Sequence, residues 1–166
     1  MEERIQRARW LLKNSKHAAM ATVNEDNTPH NTPYFFMASD DLQELYWGSH
    51  PDSVHSKNIL RTGDLFVVLY EANERGGLFI RCTTGRIAEG EELERALKKH
   101  NELRARHGTK PLPLKYYTLE YYTTESPQKM WVADAEKFWV NFAERDEQGR
   151  IVQDLRHEID RSTLLA

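Results

Sequence analysis

The stretch Ala19-Met20-Ala21-Thr22-Val23-Asn24-Glu25-Asp26-Asn27-Thr28-Pro29-His30-Asn31-Thr32-Pro33-Tyr34-Phe35-Phe36 decides how the chain is read. Its first third, extended back to Ala18, is small and apolar and reads as a buried strand. Glu25 to Thr28 is turn chemistry, because Asp and Asn side chains bond nearby backbone and tolerate left-handed geometry. His30 to Met37 is then the return strand. Pro33 has no amide hydrogen to give to a ladder, which puts that strand at an edge or beside a bulge. A hairpin is an antiparallel pair, and the same pattern recurs along the chain.

Upstream, Ile5, Ala8, Trp10, Leu11 and Leu12 fall on roughly one helical stripe that ends at Asn14-Ser15. Downstream, Asp40-Asp41 turns into a third strand from Glu44 to Ser49. A polar loop and a short helix through Ile59 follow, broken by Gly63-Asp64. Leu65 to Tyr70 is an unbroken β-prone run, which predicts a strand buried on both faces. Glu74 to Gly77 turns into a strand from Leu78 to Ala88, with Gly85 at a bulge. Glu91 to His107 is a helix with Leu93, Ala96, Leu97 and Leu103 on its apolar side and Gly108 past its end. Pro111 and Pro113 mark a loop. The tyrosine-rich and threonine-rich run from Lys115 to Thr124 predicts an edge strand. Gln128 to Val132, Lys137 to Ala143 and Arg150 to Leu155 supply two or three more strands, the last pair joined by a turn at Asp146 to Gly149. Beyond Arg156 there is no clear pattern. Eight or nine short strands in hairpin order imply an antiparallel sheet that closes on itself and so removes its edges.

The 166 residues suit a single domain spanning 1–166. A formal charge of −3 argues against a nucleic-acid partner that needs a broad basic surface. Cys82 is the one cysteine, so no internal disulfide forms. With charges throughout the first 15 residues in place of an apolar leader, this predicts the cytoplasm. No apolar run approaches membrane-spanning length, the seven histidines show no metal spacing, and no phosphate-loop or dinucleotide fingerprint is present.

The segment Ser49-His50-Pro51-Asp52-Ser53-Val54-His55-Ser56-Lys57-Asn58-Ile59 is where the sequence offers chemistry. Ser49, Ser53 and Ser56 bring hydroxyls, His55 and Lys57 bring positive charge, and a helix starting near Val54 adds its dipole. Together these suit a phosphate. The plainer reading is a solvated loop with Ser53 as a helix cap. Trp47 and Trp131 read as core or interface, Cys82 as an inert mid-strand thiol, and Glu89 to Glu92 as a helix start. Tyr121 and Tyr122 read as residues packed on a sheet. His30 stands on the return strand, near the possible site. No nucleophile, base and orienter can be assembled.

Four segments carry a resemblance: Ala19 to Phe36, Leu45 to Ile59 (LYWGSHPDSVHSKNI), Leu65 to Ala72 (LFVVLYEA) and Gly77 to Leu93 (GGLFIRCTTGRIAEGEEL). Phe138 to Arg156 looks like a closing strand pair. In order and spacing they resemble the pyridoxamine 5′-phosphate oxidase-like, FMN-binding split-barrel family. The resemblance implies a mainly β fold, a six-stranded antiparallel split barrel with flanking helices. It also implies a homodimer with FMN at its interface. Carried over position by position, Asn31, Thr32, Pro33, Tyr34 and Phe35 run past the flavin ring. Ser49 ends the third strand, and His55, Ser56 and Lys57 stand at the phosphate, with His55 or Lys57 making the charged contact. Trp139 and Arg156 resemble a late aromatic and arginine that reach the flavin, although the hairpin between them is longer here.

Two departures matter. Thr32 and Met37 replace the arginine and lysine of the oxidase's second strand, and Glu91 to Gly108 lacks its tyrosine–arginine–serine trio for the vitamin phosphate. The resemblance therefore implies an FMN flavoprotein, an oxidoreductase on an unidentified small molecule, with NAD(P)H as a possible donor, and not the vitamin B6 oxidase. The alternatives are the same barrel with a deazaflavin or haem, or a non-enzymatic binding module. In a flavin enzyme the ring carries the chemistry, and the protein supplies binding, orientation and electrostatics.

Overall fold

The structure, a computed structural model, describes residues 1–71, 76–108 and 118–166, and of Phe142 only the backbone. Its elements are α1 (Glu2–Asn14), β1 (His17–Val23), β2 (Pro29–Phe35), β3 (Met37–Ala38), β4 (Glu44–Ser49), α2 (Val54–Thr62), β5 (Leu65–Tyr70), β6 (Gly77–Ile87), α3 (Gly90–Arg106), α4 (Leu119–Thr124), β7 (Lys129–Arg145), β8 (Ile151–Ile159) and α5 (Arg161–Leu165). All strand pairs are antiparallel, in the order β2-β1-β5-β6-β7-β4-β3, with β8 added to β7.

Only buried Phe36 separates β2 from β3. These two are halves of one bent strand: β2 pairs with β1, and β3 with β4. The bend brings the two ends of the sheet together, so six strands wall a split barrel. Turn chemistry acts where expected. Asn27 takes a positive φ of 64° in the first hairpin, and Asp146 Oδ1 accepts from Gln148 N and Arg150 N in the last.

Side chains alternate across the wall. Met20, Trp47, Val67, Ile80, Trp131 and Phe138 fill the interior, and Ala8 and Leu11 of α1 join that core. A second core lies outside, where Leu93, Ala96, Leu97 and Leu103 of α3 cover Met37, Tyr46, Met130 and Val132. The helix cover decides which strand loses both faces to the core. In β4, Leu45, Tyr46 and Trp47 are all buried. In β5, expected to be buried on both faces, Leu65, Val67 and Leu69 are buried while Tyr70 is 59% exposed, because none of the described helices covers its outer side.

Other expectations need correction. The edge strand predicted up to Thr124 is helix α4 from Leu119 on, and residues 115–117 lie outside the described residues, as does the Pro111–Pro113 loop. The Thr118 side chain accepts from Tyr121 N as an N-cap, and Tyr122 docks into the outer core. Capping and docking outweigh the β-preference of the tyrosines and threonines. The two strands predicted from Gln128 to Ala143 are one strand, β7. It is long enough to pair with β4 along its first half and β8 along its second. Past Arg156, where no pattern was visible, β8 runs on to Ile159 and α5 follows.

Candidate functional site

The polar loop is held on three sides. Ser49 ends β4 with its side chain buried, and its carbonyl accepts from Trp131 Nε1 at 3.1 Å. Ser53 has the extended backbone of an N-cap (φ −64°, ψ 152°), and its side chain accepts from Ser56 N. At the far end, Gly63 takes a φ of 73° and closes α2 with its amide on Ile59 O at 2.7 Å. Buried Asn58 donates to Thr22 Oγ1 at 3.0 Å and Asn24 Oδ1 at 2.9 Å, which ties α2 to the first hairpin.

The side chains at the α2 N-terminus converge. Ser49 Oγ lies 2.7 Å from His55 Nε2, and Ser53 Oγ lies 3.1 Å from the same nitrogen. Ser53 donates to Ser56 Oγ at 2.8 Å, and Ser56 donates to Ser49 Oγ at 3.3 Å. The His30 ring of β2 lies nearly parallel to the His55 ring, with centroids 6.3 Å apart. Burial, and then the neighbouring His30, hold the His55 pKa below its ordinary value. The cluster therefore presents three hydroxyls and a mainly neutral imidazole beside the amides of a helix start. Those amides have no intrahelical acceptor and carry the positive end of the helix dipole.

Lys57 is placed differently. Its exposed amine points away from the cluster to Asp52, with Nζ 4.0 Å from Oδ1. Helix geometry explains the split. His55 and Lys57 are two residues apart, about 200° around the axis, so they leave opposite sides.

β2 divides its candidates by face. Asn31, Pro33 and Phe35 are exposed on the outer surface, beside Ala21, Ala19 and His17 of β1. Thr32 and Tyr34 pair with Met20 and Ala18 and turn inward. Tyr34 sits in the barrel core, its ring edge-on to Trp47 at 6.4 Å, and burial pushes its phenol pKa up. Its hydroxyl has no hydrogen-bond partner among the described residues. Lys16 and His17 stand over the Phe35 ring, at 5.7 and 4.8 Å.

Trp139 and Arg156 belong to another patch. On the outer face of β5 to β8, Phe66 packs 6.3 Å from Phe79 and 5.9 Å from Trp139. The Arg156 guanidinium lies 4.0 Å above Phe79. By sheet order, β1, β5 and β6 separate β2 from Trp139. Among the described residues, neither Trp139 nor Arg156 shares a hydrogen bond or ring contact with the Ser49–His55 cluster.

His30 and Asn58 are the residues whose part in the cluster is hardest to see in the sequence. His30 is identifiable only by its alternation with Thr32 and Tyr34 on the inward side of β2. Asn58 is marked by being a polar residue beside Ile59 on the buried side of a short helix. Cys82 is fully buried, and burial raises its thiol pKa, with Asp134 adding to the shift. Among the described residues, no group of three or more His, Cys, Asp or Glu is placed to hold a metal ion. No described helix is long and apolar enough to cross a membrane.

Comparison with known proteins places this barrel. Among solved structures, the chain is similar to a haem-binding protein from Mycobacterium smegmatis (TM-score 0.64, 13% identity), covering 97% of this chain and 59% of that one. It is similar to a protein from Clostridium acetobutylicum related to general stress protein 26, of the pyridoxinephosphate oxidase family (TM-score 0.60, 15% identity, 96% of each chain). It is also similar to an F420 reductase (TM-score 0.59, 16% identity), covering 79% of this chain and 94% of that one. At these identities the likeness is one of fold. No curated protein sequence matches. A family model described as pyridoxamine 5′-phosphate oxidase matches residues 5–148, the span that holds the barrel and the serine–histidine cluster, and the chain therefore belongs to the pyridoxamine 5′-phosphate oxidase family.

Proposed function

We propose that the chain is a cytoplasmic, homodimeric FMN-binding oxidoreductase that acts on a small molecule, with NAD(P)H as electron donor. The observation that carries this reading is the convergence of Ser49, Ser53, Ser56 and His55 at the start of α2. Hydroxyls, an imidazole and the positive end of a helix dipole suit a phosphate monoester. The serine hydroxyls are bonded to one another and to His55, and a phosphate oxygen would compete for those bonds. FMN supplies the hydride chemistry when bound. Ser49, Ser53, Ser56 and His55 hold the phosphate, and an anion beside His55 favours the protonated imidazole. Asn31, Pro33 and Phe35 offer the outer surface of β2 to the ring.

Trp139 and Arg156 would reach that ring from a second copy, since among the described residues they share no hydrogen bond or ring contact with the cluster or with β2. The uncovered face of β5 to β8, with Phe66, Phe79, Trp139 and exposed Tyr70, is the surface on which the copies meet. Met37, at one of the oxidase's cation positions, is buried against α3 and carries no charge to a substrate, which supports a substrate other than the vitamin B6 phosphates.

The second reading keeps the barrel and changes the cofactor, since similar structures include a haem-binding protein and an F420 reductase. Titrating the protein with FMN, haem and F420 separates the readings. FMN uptake with a shifted flavin spectrum and bleaching by NAD(P)H supports the first. Preferential uptake of haem or F420 overturns it.

A further inference from the structure

We propose that the open cleft lined by α1, β3, α3 and α5 is a second binding site, for a small monocarboxylate with an apolar body. The cleft holds about 240 Å³ and lies beyond the β2–β3 bend. It does not include the serine–histidine cluster, and its function does not depend on a flavin.

Its lining has two characters. Leu12, Phe36, Met37, Leu42, Leu103 and Leu164 give an apolar floor. The opening carries Arg9, Lys13, Lys99 and Arg106 against Asp40 and Glu102, a formal excess of positive charge in a chain whose net charge is −3. The two carboxylates are already engaged, because Lys99 Nζ donates to Asp40 Oδ1 at 2.6 Å and to Glu102 Oε2 at 2.9 Å. Among the described residues, Arg9, Lys13 and Arg106 form no ion pair with a carboxylate. Arg9 donates to Thr163 O at 3.1 and 2.6 Å, which holds α5 across the cleft, and Arg106 donates to Lys13 O at 3.0 Å. Ser15, 1% exposed, lines the cleft, and its hydroxyl has no partner among the described residues.

An apolar floor beneath unneutralised cations selects a ligand with one anionic end and a hydrocarbon remainder. A cleft of about 240 Å³ suits a small ligand of several heavy atoms. Hexanoate, with six carbons and two oxygens, is the matching probe. Hexanamide is its neutral counterpart.

The experiment is calorimetric and NMR titration of the full chain with both probes. It is repeated for Leu103→Trp, which fills the cleft, and for the exposed rim pair Lys13→Glu with Arg106→Glu. The expected result is saturable hexanoate binding, hexanamide at least about ten-fold weaker, and a similar loss for hexanoate in the rim variant, with circular dichroism and flavin uptake unchanged. The rim variant tests the site even if Leu103→Trp fails to fold. No saturable hexanoate binding, equal affinity for both probes, or an unaltered rim variant would each overturn the proposal. Flavin uptake is read separately, so failure here leaves the flavin assignment standing.

Discussion

Replacing His55 with alanine, set against the same change at Lys57, tests how the α2 N-terminus handles an anion. His55 Nε2 is within hydrogen-bond distance of both Ser49 Oγ and Ser53 Oγ, so it stands inside the cluster that would surround a phosphate. A bound phosphate turns the imidazole into a charged donor, and a hydrogen bond to a charged group contributes about 1.5–3 kcal/mol. His55→Ala should therefore weaken FMN binding by about 10- to 150-fold. Lys57 lies outside the cluster, 65% exposed and 4.0 Å from Asp52. Screened by water, it should contribute no more than about 1 kcal/mol, about five-fold. The assay is quenching of flavin fluorescence on titration into flavin-free protein, at one ionic strength, with circular dichroism to confirm folding. Ser49→Ala should fall between the two. If Lys57→Ala costs as much as His55→Ala, the phosphate does not sit where the serines and imidazole converge, and the site has to move toward the exposed side of α2.

Three further outcomes follow from the geometry. A Cβ at Gly85 would lie 2.4 Å from Ile59 Cγ2 and 3.2 Å from Gly63 O, so Gly85→Ala should destabilise the fold by about 1–3 kcal/mol in urea unfolding; an unchanged midpoint would show that the bulge is looser than described. His55, His100 and His107 all have lowered pKa values in the folded chain, first through desolvation, so the unfolded chain binds more protons. Their contribution to stability is full above their ordinary pKa near 6.5 and is lost as pH falls through the lowered values. The urea midpoint of flavin-free protein should therefore drop between pH 8 and pH 5.5, and less steeply in His55→Gln; a midpoint that holds or rises on acidification contradicts this. Trp139→Glu puts a charge on the outer face of β5 to β8 and should shift the proposed dimer toward monomer in sedimentation, by at least about 30-fold in dissociation constant if Trp139 anchors the interface. An unchanged dimer would place the contact elsewhere.

The features that the sequence announced plainly are local ones. The hairpin at Asn27, the Ser53 cap, the Gly85 bulge and the turn at Asp146 each rest on chemistry within a few residues. What was hidden depends on contacts with distant parts of the chain. Leu65 to Tyr70 and Glu44 to Ser49 both look like strands, yet it is the cover of α3 and α4 that buries the outer side of the second. Tyr121 and Tyr122 favour strands by composition, and it took the Thr118 cap and the outer core to make them helical. The same holds for the site. The polar loop could be read as a place for an anion, but whether His55 or Lys57 faces the serines depends on where the helix begins. That start was placed near Val54, and the rotation of about 200° between the two residues does the rest. The proposed grouping of Trp139 with the loop rests on a second chain, which contacts within one chain do not test.

The central claim is that the serine–histidine cluster holds the phosphate of FMN. The most direct measurement is the absorption spectrum of the purified protein, before and after incubation with FMN and passage over a desalting column. The account predicts retained oxidised-flavin bands in the wild type and their loss in His55→Ala. Colourless wild-type protein that retains no FMN, or one that instead takes up haem or F420, would contradict it.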